Sequence, residues 1–293
     1  MLILISDAFD SSLPGRLKKY GEVTDDAARL AEAEIVLIRS KTKVTKEFVD
    51  AAPRLKLVIR GGVGLDNVDI PYAKGKGIAV YNTADASSVA VAELAFALMI
   101  ALPNQISRAD STMREKNWAK KEIKRTELMG KTLAVLGFGR IGSALASRAR
   151  AFGMKVIGYD PFVYFSDFAE INNNLDEVLG RADYISMHMP LVDATRGLIN
   201  KKTLAKCKDG VYIVNTGRGK CVIEEDLAEA LRSGKVAGYG NDVWYSDPPD
   251  WNSPLLSAPN CLFAPHIGAS TKENMGRIGV MVDSIIGAYV ANK

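Results

Sequence analysis

Short apolar runs alternate with amphipathic stretches along most of this chain, at the spacing of strands and helices taken in turn. In the first part Leu2–Ile5, Ile35–Arg39, Leu57–Arg60 and Ile78–Tyr81 are short and mostly apolar, which predicts four parallel strands buried on both faces. Helical spacing lies between them near Pro14–Tyr20, Thr24–Ala33, Lys46–Ala51 and Pro71–Lys76. Asp85 is placed to cap a long helix that runs to about Arg114 and links two domains. A charged stretch, Lys116–Lys124, follows it. Beyond that, Leu133–Leu136, Lys155–Tyr159, Tyr184–Met187, Val211–Asn215, Val236–Asp242 and Cys261–Ala264 predict further strands. Helices are expected over Arg140–Phe152, Leu175–Arg181, Lys201–Cys207 and Glu224–Arg232. A last helical pattern, from Thr271 to about Ala291, is expected to cross back onto the first domain. Two such alternations predict an α/β protein with two doubly wound parallel-sheet domains.

The second alternation opens on a specific signal, Val135-Leu136-Gly137-Phe138-Gly139-Arg140-Ile141-Gly142. A buried strand, a glycine-rich turn and a helix in that order form the dinucleotide-binding unit of a Rossmann domain. Gly137 allows the tight turn, Gly139 lets the backbone approach a pyrophosphate, and Gly142 lets the helix pack close to the strand. Phe138, Arg140 and Ile141 complete the turn, and the helix start offers free N–H groups to phosphate. Asp160 ends the next strand, 23 residues after Gly137. An acid there accepts hydrogen bonds from the adenosine ribose and repels a 2′-phosphate. Pro161 and Phe162 follow, with no Arg or Lys beside them, so NAD(H) is expected rather than NADP(H).

Composition narrows the class. The chain has 293 residues, 47% hydrophobic and 25% charged, enough for two medium domains with real cores. A net charge of +4 with scattered Lys and Arg gives no basic stripe for nucleic acid. The longest apolar stretch, Val89–Leu102, is interrupted by Glu93 and reads as a buried helix, so no membrane role is expected. The N-terminal Met1–Ser6 reads as a strand rather than a signal peptide. Cys207, Cys221 and Cys261 are widely spaced, which argues against a disulfide framework or a metal site and for a reducing, cytoplasmic location.

Residues able to carry chemistry fall just after predicted strands, where open α/β sheets bind ligands. Arg218 lies in Asn215-Thr216-Gly217-Arg218-Gly219, His266 in Pro265-His266-Ile267-Gly268, and Asp242 ends a strand with Asp247 five residues on. This set suits hydride transfer on a 2-oxo acid. A guanidinium grips a carboxylate by two-point contact, and a histidine exchanges the proton of the carbonyl oxygen. A neighbouring carboxylate orients such a histidine and stabilises its protonated form. His188, in Met187-His188-Met189-Pro190, is the other strand-end histidine, with structural and cofactor-lining roles both open.

The order of these motifs resembles the D-2-hydroxyacid dehydrogenase family along essentially the whole chain: the glycine motif, Asp160, His188-x-Pro190, Thr216-Gly217-Arg218-Gly219, Asp242-Val243, Asp247-Pro248 and Pro265-His266-Ile267-Gly268. The resemblance implies a Rossmann NAD domain over 89–269, inserted into a flavodoxin-like substrate domain made of 1–88 and 270–293, with substrate bound between them. It implies that Arg218 orients substrate, that His266 is the acid/base and that a carboxylate pairs with it. It also implies that His188, Pro190, Thr216, Asp242 and Gly268 line the cofactor. The pairing position is usually Glu and is Asp247 here, one methylene shorter. Arg39–Val44 and Val58–Asp69 are similar to the D-3-phosphoglycerate dehydrogenase branch. That implies a loop of Gly61, Gly62, Val63 and Gly64 offering N–H groups to the substrate carboxylate, Arg60 on a phosphate, and Lys120 contributing across a homodimer. The expected reaction is NAD-dependent oxidation of D-3-phosphoglycerate, the entry to serine synthesis. The expected ligand is a small anionic 2-oxo or 2-hydroxy acid carrying a phosphate. No regulatory domain is expected beyond the last helix, and feedback by serine is not expected. The alternatives are a glyoxylate/hydroxypyruvate reductase on the same apparatus and, in a different class, a dinucleotide-sensing corepressor.

Overall fold

The computed structural model describes residues 1–292. Its contacts divide the chain into two compact units, Met1–Ala90 with the segment from Ala269 onward, and Val91–Gly268. Both are α/β units built on one parallel sheet.

The first unit has five strands, β1 (Leu2–Ile5), β2 (Glu22–Thr24), β3 (Ile35–Ile38), β4 (Leu57–Arg60) and β5 (Ala79–Asn82). They are all parallel, in the order β2-β1-β3-β4-β5, the doubly wound order of flavodoxin. Alternation along each strand sends side chains to two cores. Leu2, Leu4, Val36, Ile38 and Val58 meet Val49 and Ala73 on one face. Ile3, Ile5, Ile35, Leu37 and Ile59 meet Leu13 and Leu17 on the other, together with Ile278, Val282 and Ile286 of the last helix, Lys272–Ala291. That helix starts on Thr271, whose side chain accepts the Asn274 N–H.

β2 corrects the four-strand expectation. Thr24 was placed at the start of a helix; it ends an edge strand, and only a 3₁₀ segment, Ala27–Glu32, follows. Three residues with one aliphatic among them, exposed or half-buried, carry no strand pattern to read.

The second unit has seven strands, β6 (Thr132–Leu136), β7 (Lys155–Tyr159), β8 (Glu170–Ile171), β9 (Tyr184–Met187), β10 (Val211–Asn215), β11 (Val236–Asn241) and β12 (Cys261–Phe263). Their order is β12-β11-β10-β9-β6-β7-β8, all parallel, so the chain reverses direction of travel at β6 and β9. Ligands bind at such a switch point, beyond the carboxyl ends of the strands. The two-residue edge strand β8 was also missed from sequence, for the same reason as β2.

The long helix expected from Asp85 to Arg114 is broken. A 3₁₀ turn over Ala84–Ser87 leads into a helix at Ser88–Ala101, and a second helix begins at Ile106 and ends at Arg114. Pro103 lies in the break, where it has no N–H to give to the preceding turn, and Gln105 is left-handed at φ 49°. Asp85 lies inside the 3₁₀ turn instead of capping it. The window Ala84–Ala101 is apolar enough by composition to cross a bilayer, but half of it is buried inside the protein. Ala92, Ala95 and Met99 are fully buried against Leu133 and Val135 of β6, as in a core helix.

Candidate active site

The register of the second sheet collects the site. Leu136 pairs with Tyr159 and Met187, Met187 with Asn215, Asn215 with Asn241, and Asn241 with Phe263. The next residue of each strand is Gly137, Asp160, His188, Thr216, Asp242 and Ala264. Six predicted or neighbouring site positions therefore form one row along the carboxyl edge of the sheet.

The three glycines of the turn have distinct environments. Gly137 has φ +90°, and a Cβ there would lie 2.8 Å from the backbone of His188 and Met189. A Cβ on Gly142 would collide with the carbonyl oxygen of Gly137 and lie 2.9 Å from Val135 Cγ1, so the helix Arg140–Ala151 sits directly against β6. A Cβ on Gly139 would meet nothing within 4 Å. Only this glycine faces open space, and it is the N-cap of a helix that no side chain caps. Such a cradle fits a pyrophosphate. Asp160 Oδ2 accepts the Phe138 N–H at 2.9 Å and Oδ1 accepts the Phe162 N–H at 2.9 Å, so this acid is tied to the turn. The Phe138 side chain is buried over Gly158. Arg140 is exposed and Ile141 half-buried at the helix start.

His188 and Thr216 are brought together. His188 Nε2 and Ser186 Oγ are 2.8 Å apart, and His188 Nδ1 and Thr216 Oγ1 are 3.3 Å apart. Burial lowers the His188 pKa to about 3. Pro190 is exposed, and its carbonyl accepts the Thr195 hydroxyl.

Arg218 follows Thr216 in a loop held by Asn215. Asn215 Oδ1 accepts the Gly217 N–H at 3.0 Å, and its amide donates to Arg218 O at 3.1 Å. Arg218 Nη1 donates to Gly217 O at 2.8 Å. Glycines flank Arg218 on both sides. They are demanded by the protein itself: a Cβ on Gly217 would lie 3.0 Å from Met187 O, and one on Gly219 would collide with the Trp244 backbone.

His266 and Asp247 also meet. His266 Nδ1 donates to Asp247 Oδ2 at 2.5 Å, so the shorter Asp reaches the ring. A carboxylate only accepts, which places the proton on Nδ1 and leaves Nε2 as the acceptor nitrogen of the neutral ring. Both side chains are exposed, and His266 has a left-handed φ of 58°. Trp244 Nε1 donates to Ala264 O at 3.1 Å, joining the segment that leads to Asp247 to the strand that leads to His266. Asp242, expected beside the cofactor, is 1% exposed, and its oxygens accept the N–H groups of Ile267 and Gly268, each at 2.8 Å. Burial raises its pKa, against the pull of those two N–H groups. No sequence signal announced this role.

The first unit places Arg60 at the end of β4, where Nη2 donates to Ser40 Oγ at 3.2 Å and the guanidinium lies over Gly62. Gly61 N–H is engaged by Ile38 O, and Gly62 N–H by Thr83 Oγ1 and Arg60 O. Val63 and Gly64 remain as the loop residues to offer N–H groups. Lys120 lies in an exposed turn of the second unit.

The sequence profile of the D-isomer specific 2-hydroxyacid dehydrogenase family, NAD-binding domain, matches residues 96–268. The chain belongs to this family. It is an NAD-dependent oxidoreductase of small 2-hydroxy and 2-oxo acids. It is 47% identical over 253 residues to a hydroxypyruvate reductase of Thermotoga maritima, covering 86% of this chain and 83% of that protein. It is 39% identical over 292 residues to a D-3-phosphoglycerate dehydrogenase of Methanocaldococcus jannaschii, covering 96% of this chain but only 56% of that longer protein. Among solved structures, D-lactate dehydrogenase of Aquifex aeolicus, complexed with NAD and lactic acid, superposes with a TM-score of 0.89. It is 31% identical and covers 100% of this chain and 96% of its own.

Proposed function

We propose that this dehydrogenase interconverts D-3-phosphoglycerate and 3-phosphooxypyruvate with NAD. The observation that carries the chemistry is the His266–Asp247 pair, on the same sheet edge as Arg218 and the open Gly139 cradle. Gly139, the helix start at Arg140 and Asp160 would hold the dinucleotide, whose nicotinamide accepts or supplies the hydride. Arg218 orients the substrate carboxylate. In oxidation the C2–H bond breaks and its electron pair leaves as hydride, while the C2 hydroxyl proton passes to His266 Nε2. In reduction His266 returns that proton to the carbonyl oxygen. Asp247 holds the ring and balances its charge. Asp160 and the absence of a cation at Pro161 and Phe162 support NAD(H) over NADP(H).

The phosphate is assigned to Arg60 because a strand-end guanidinium gives a phosphate two-point contact. A second reading, reduction of hydroxypyruvate or glyoxylate, is favoured by the match to the Thermotoga maritima protein. NADH consumption with 3-phosphooxypyruvate, hydroxypyruvate and glyoxylate at equal concentrations separates the two. The first reading expects the phosphorylated acid to lead by about tenfold in kcat/KM, roughly 1.4 kcal/mol, and Arg60→Ala to erase that lead while sparing the small acids. A lead for hydroxypyruvate or glyoxylate installs the second reading. No turnover of any of the three leaves another D-2-hydroxy acid as the substrate.

The dimer belongs to the same proposal. Ile106 and Met113 of the second helix and Trp118 after it are each more than half exposed, and a cavity of about 420 Å³ lies between that helix and Tyr212, Ala237 and Leu262. A second copy of the chain would cover this face and bring Lys120 towards its neighbour's substrate. Light scattering tests it: a monomer removes both. A cytoplasmic location is likewise proposed, since none of the three cysteines forms a disulfide.

A further inference from the structure

His188 occupies a junction between the two loops that the reaction uses. Its N–H donates to Leu136 O at 2.8 Å, one residue before the glycine turn. Its carbonyl carbon and oxygen lie against Gly137, at 2.8 and 2.9 Å from where a Cβ would be. Its Cα lies against Gly217, 3.3 Å from the corresponding point. The ring then spans Ser186 Oγ, in a fully buried serine, and Thr216 Oγ1. Thr216 is the residue from which the Gly217-Arg218 segment departs.

Asn215, on the strand that leads into that segment, is another side-chain anchor of it. The ring of His188, one residue beyond the end of β9, reaches Thr216 from the neighbouring strand. A neutral imidazole has one donor and one acceptor nitrogen, and each neighbouring hydroxyl can give or take. Either tautomer satisfies both contacts. Burial favours that neutral ring, which suits His188 to holding rather than to exchanging protons with substrate. Its chemistry is to hold, and small displacements of a gripping residue are costly: about 1 Å of misplacement can remove about 10²-fold in rate.

We infer that His188 is a positioning residue for the 2-oxo acid, fixing Thr216 and through it Arg218 relative to the strand end against which the glycine turn packs. This rests on the reading that Arg218 grips the substrate carboxylate. It departs from a cofactor-lining role, which would act on NAD affinity instead.

The test compares His188→Ala, His188→Asn, Thr216→Val and the double variant His188→Ala/Thr216→Val. Asn places a polar group near the Nδ1 position and can keep the Thr216 contact while giving up Ser186. For each folded variant, KM and kcat for the oxo acid are measured at saturating NADH, and the dissociation constant of NADH by fluorescence. The expected result is a rise of about tenfold in oxo-acid KM for His188→Ala. Thr216→Val should match it, the double variant should be no worse than either single, and His188→Asn should recover most of the loss. NADH affinity should stay within about threefold throughout. Additive losses, or a loss confined to NADH affinity, would overturn the inference. If His188→Ala does not fold, Thr216→Val and His188→Asn decide it alone: an unchanged oxo-acid KM in Thr216→Val rejects it. Absence of oxo-acid turnover by the parent protein would instead reject the reading on which it rests.

Discussion

Asp242 holds Gly268 by a carboxylate oxygen 2.8 Å from the glycine N–H, and a Cβ on Gly268 would stand 2.9 Å from that same oxygen. Acid and glycine fit each other at a distance that admits no side chain. The companion oxygen takes the Ile267 N–H, so the backbone just after His266 hangs on one buried carboxylate. Asp242→Asn keeps the shape but turns one acceptor into a donor facing an N–H. A loss of about 1–3 kcal/mol in stability is expected, from the buried group left unsatisfied, together with a fall in kcat as His266 shifts. Urea unfolding and steady-state kinetics on one preparation check both effects. Wild-type stability with wild-type kcat would show that the loop does not depend on Asp242.

The glycine turn predicts two opposite outcomes from one kind of change. Gly142→Ala places a methyl against Gly137 O and Val135, and should destabilise the protein by about 1–3 kcal/mol through overpacking. Gly139→Ala has room, and its backbone is in the extended region open to alanine. It should keep its unfolding midpoint and lose NADH affinity by about tenfold or more, because the methyl occupies the approach to the pyrophosphate. Thermal unfolding beside NADH titration separates the pair, and equal effects on stability would contradict the geometry.

Asp247 reaches His266 despite its short side chain. Asp247→Asn retains a hydrogen-bond acceptor and removes the charge, so the reductive kcat should fall by about 10- to 100-fold, within the range of general acid help. Asp247→Glu should keep most of the activity if the exposed loop adjusts by one methylene. A kcat unchanged in Asp247→Asn would make the pairing incidental.

His188 makes an acid-stability prediction. Its folded pKa, about 3, lies below the ordinary histidine value of 6.5. The unfolded chain therefore takes up a proton below about pH 6.5 that the folded chain refuses, and the stabilising contribution present at neutral pH is lost as pH falls towards 3. One such proton is worth about 1.4 kcal/mol per pH unit. Urea unfolding between pH 7 and 4 should show a shallower decline in His188→Asn than in the parent protein. Parallel declines would place the acid sensitivity in other groups.

Much of the fold was legible because parallel strands buried on both faces are written as continuous apolar runs, as at Ile35–Ile38 and Tyr184–Met187. What stayed hidden was short and at an edge, Glu22–Thr24 and Glu170–Ile171, where so few residues set no period. Pro103 was visible, yet the apolar stretch before it made one long helix look sufficient. In the site, residue types announced His266, Arg218 and Asp160, because their chemistry needs those groups. Gly217, Gly219 and Asp242 were harder to place. Their roles depend on backbone brought from other segments, Met187, Trp244 and Gly268, and sequence distance says nothing of such approaches.

The last helix has a consequence for the order in which this protein can assemble. Ile278, Val282 and Ile286 complete the sheet face formed by Ile3, Ile35 and Leu57, residues made more than two hundred positions earlier. During synthesis the strands of the first unit emerge first but lack part of their core until the final turns of the chain arrive. Val91–Gly268 has its complete set of strands before that helix begins. The second unit therefore has all its strands before the first has its whole core, and the face of β1, β3 and β4 that awaits Ile278, Val282 and Ile286 is the surface a chaperone would have to shield.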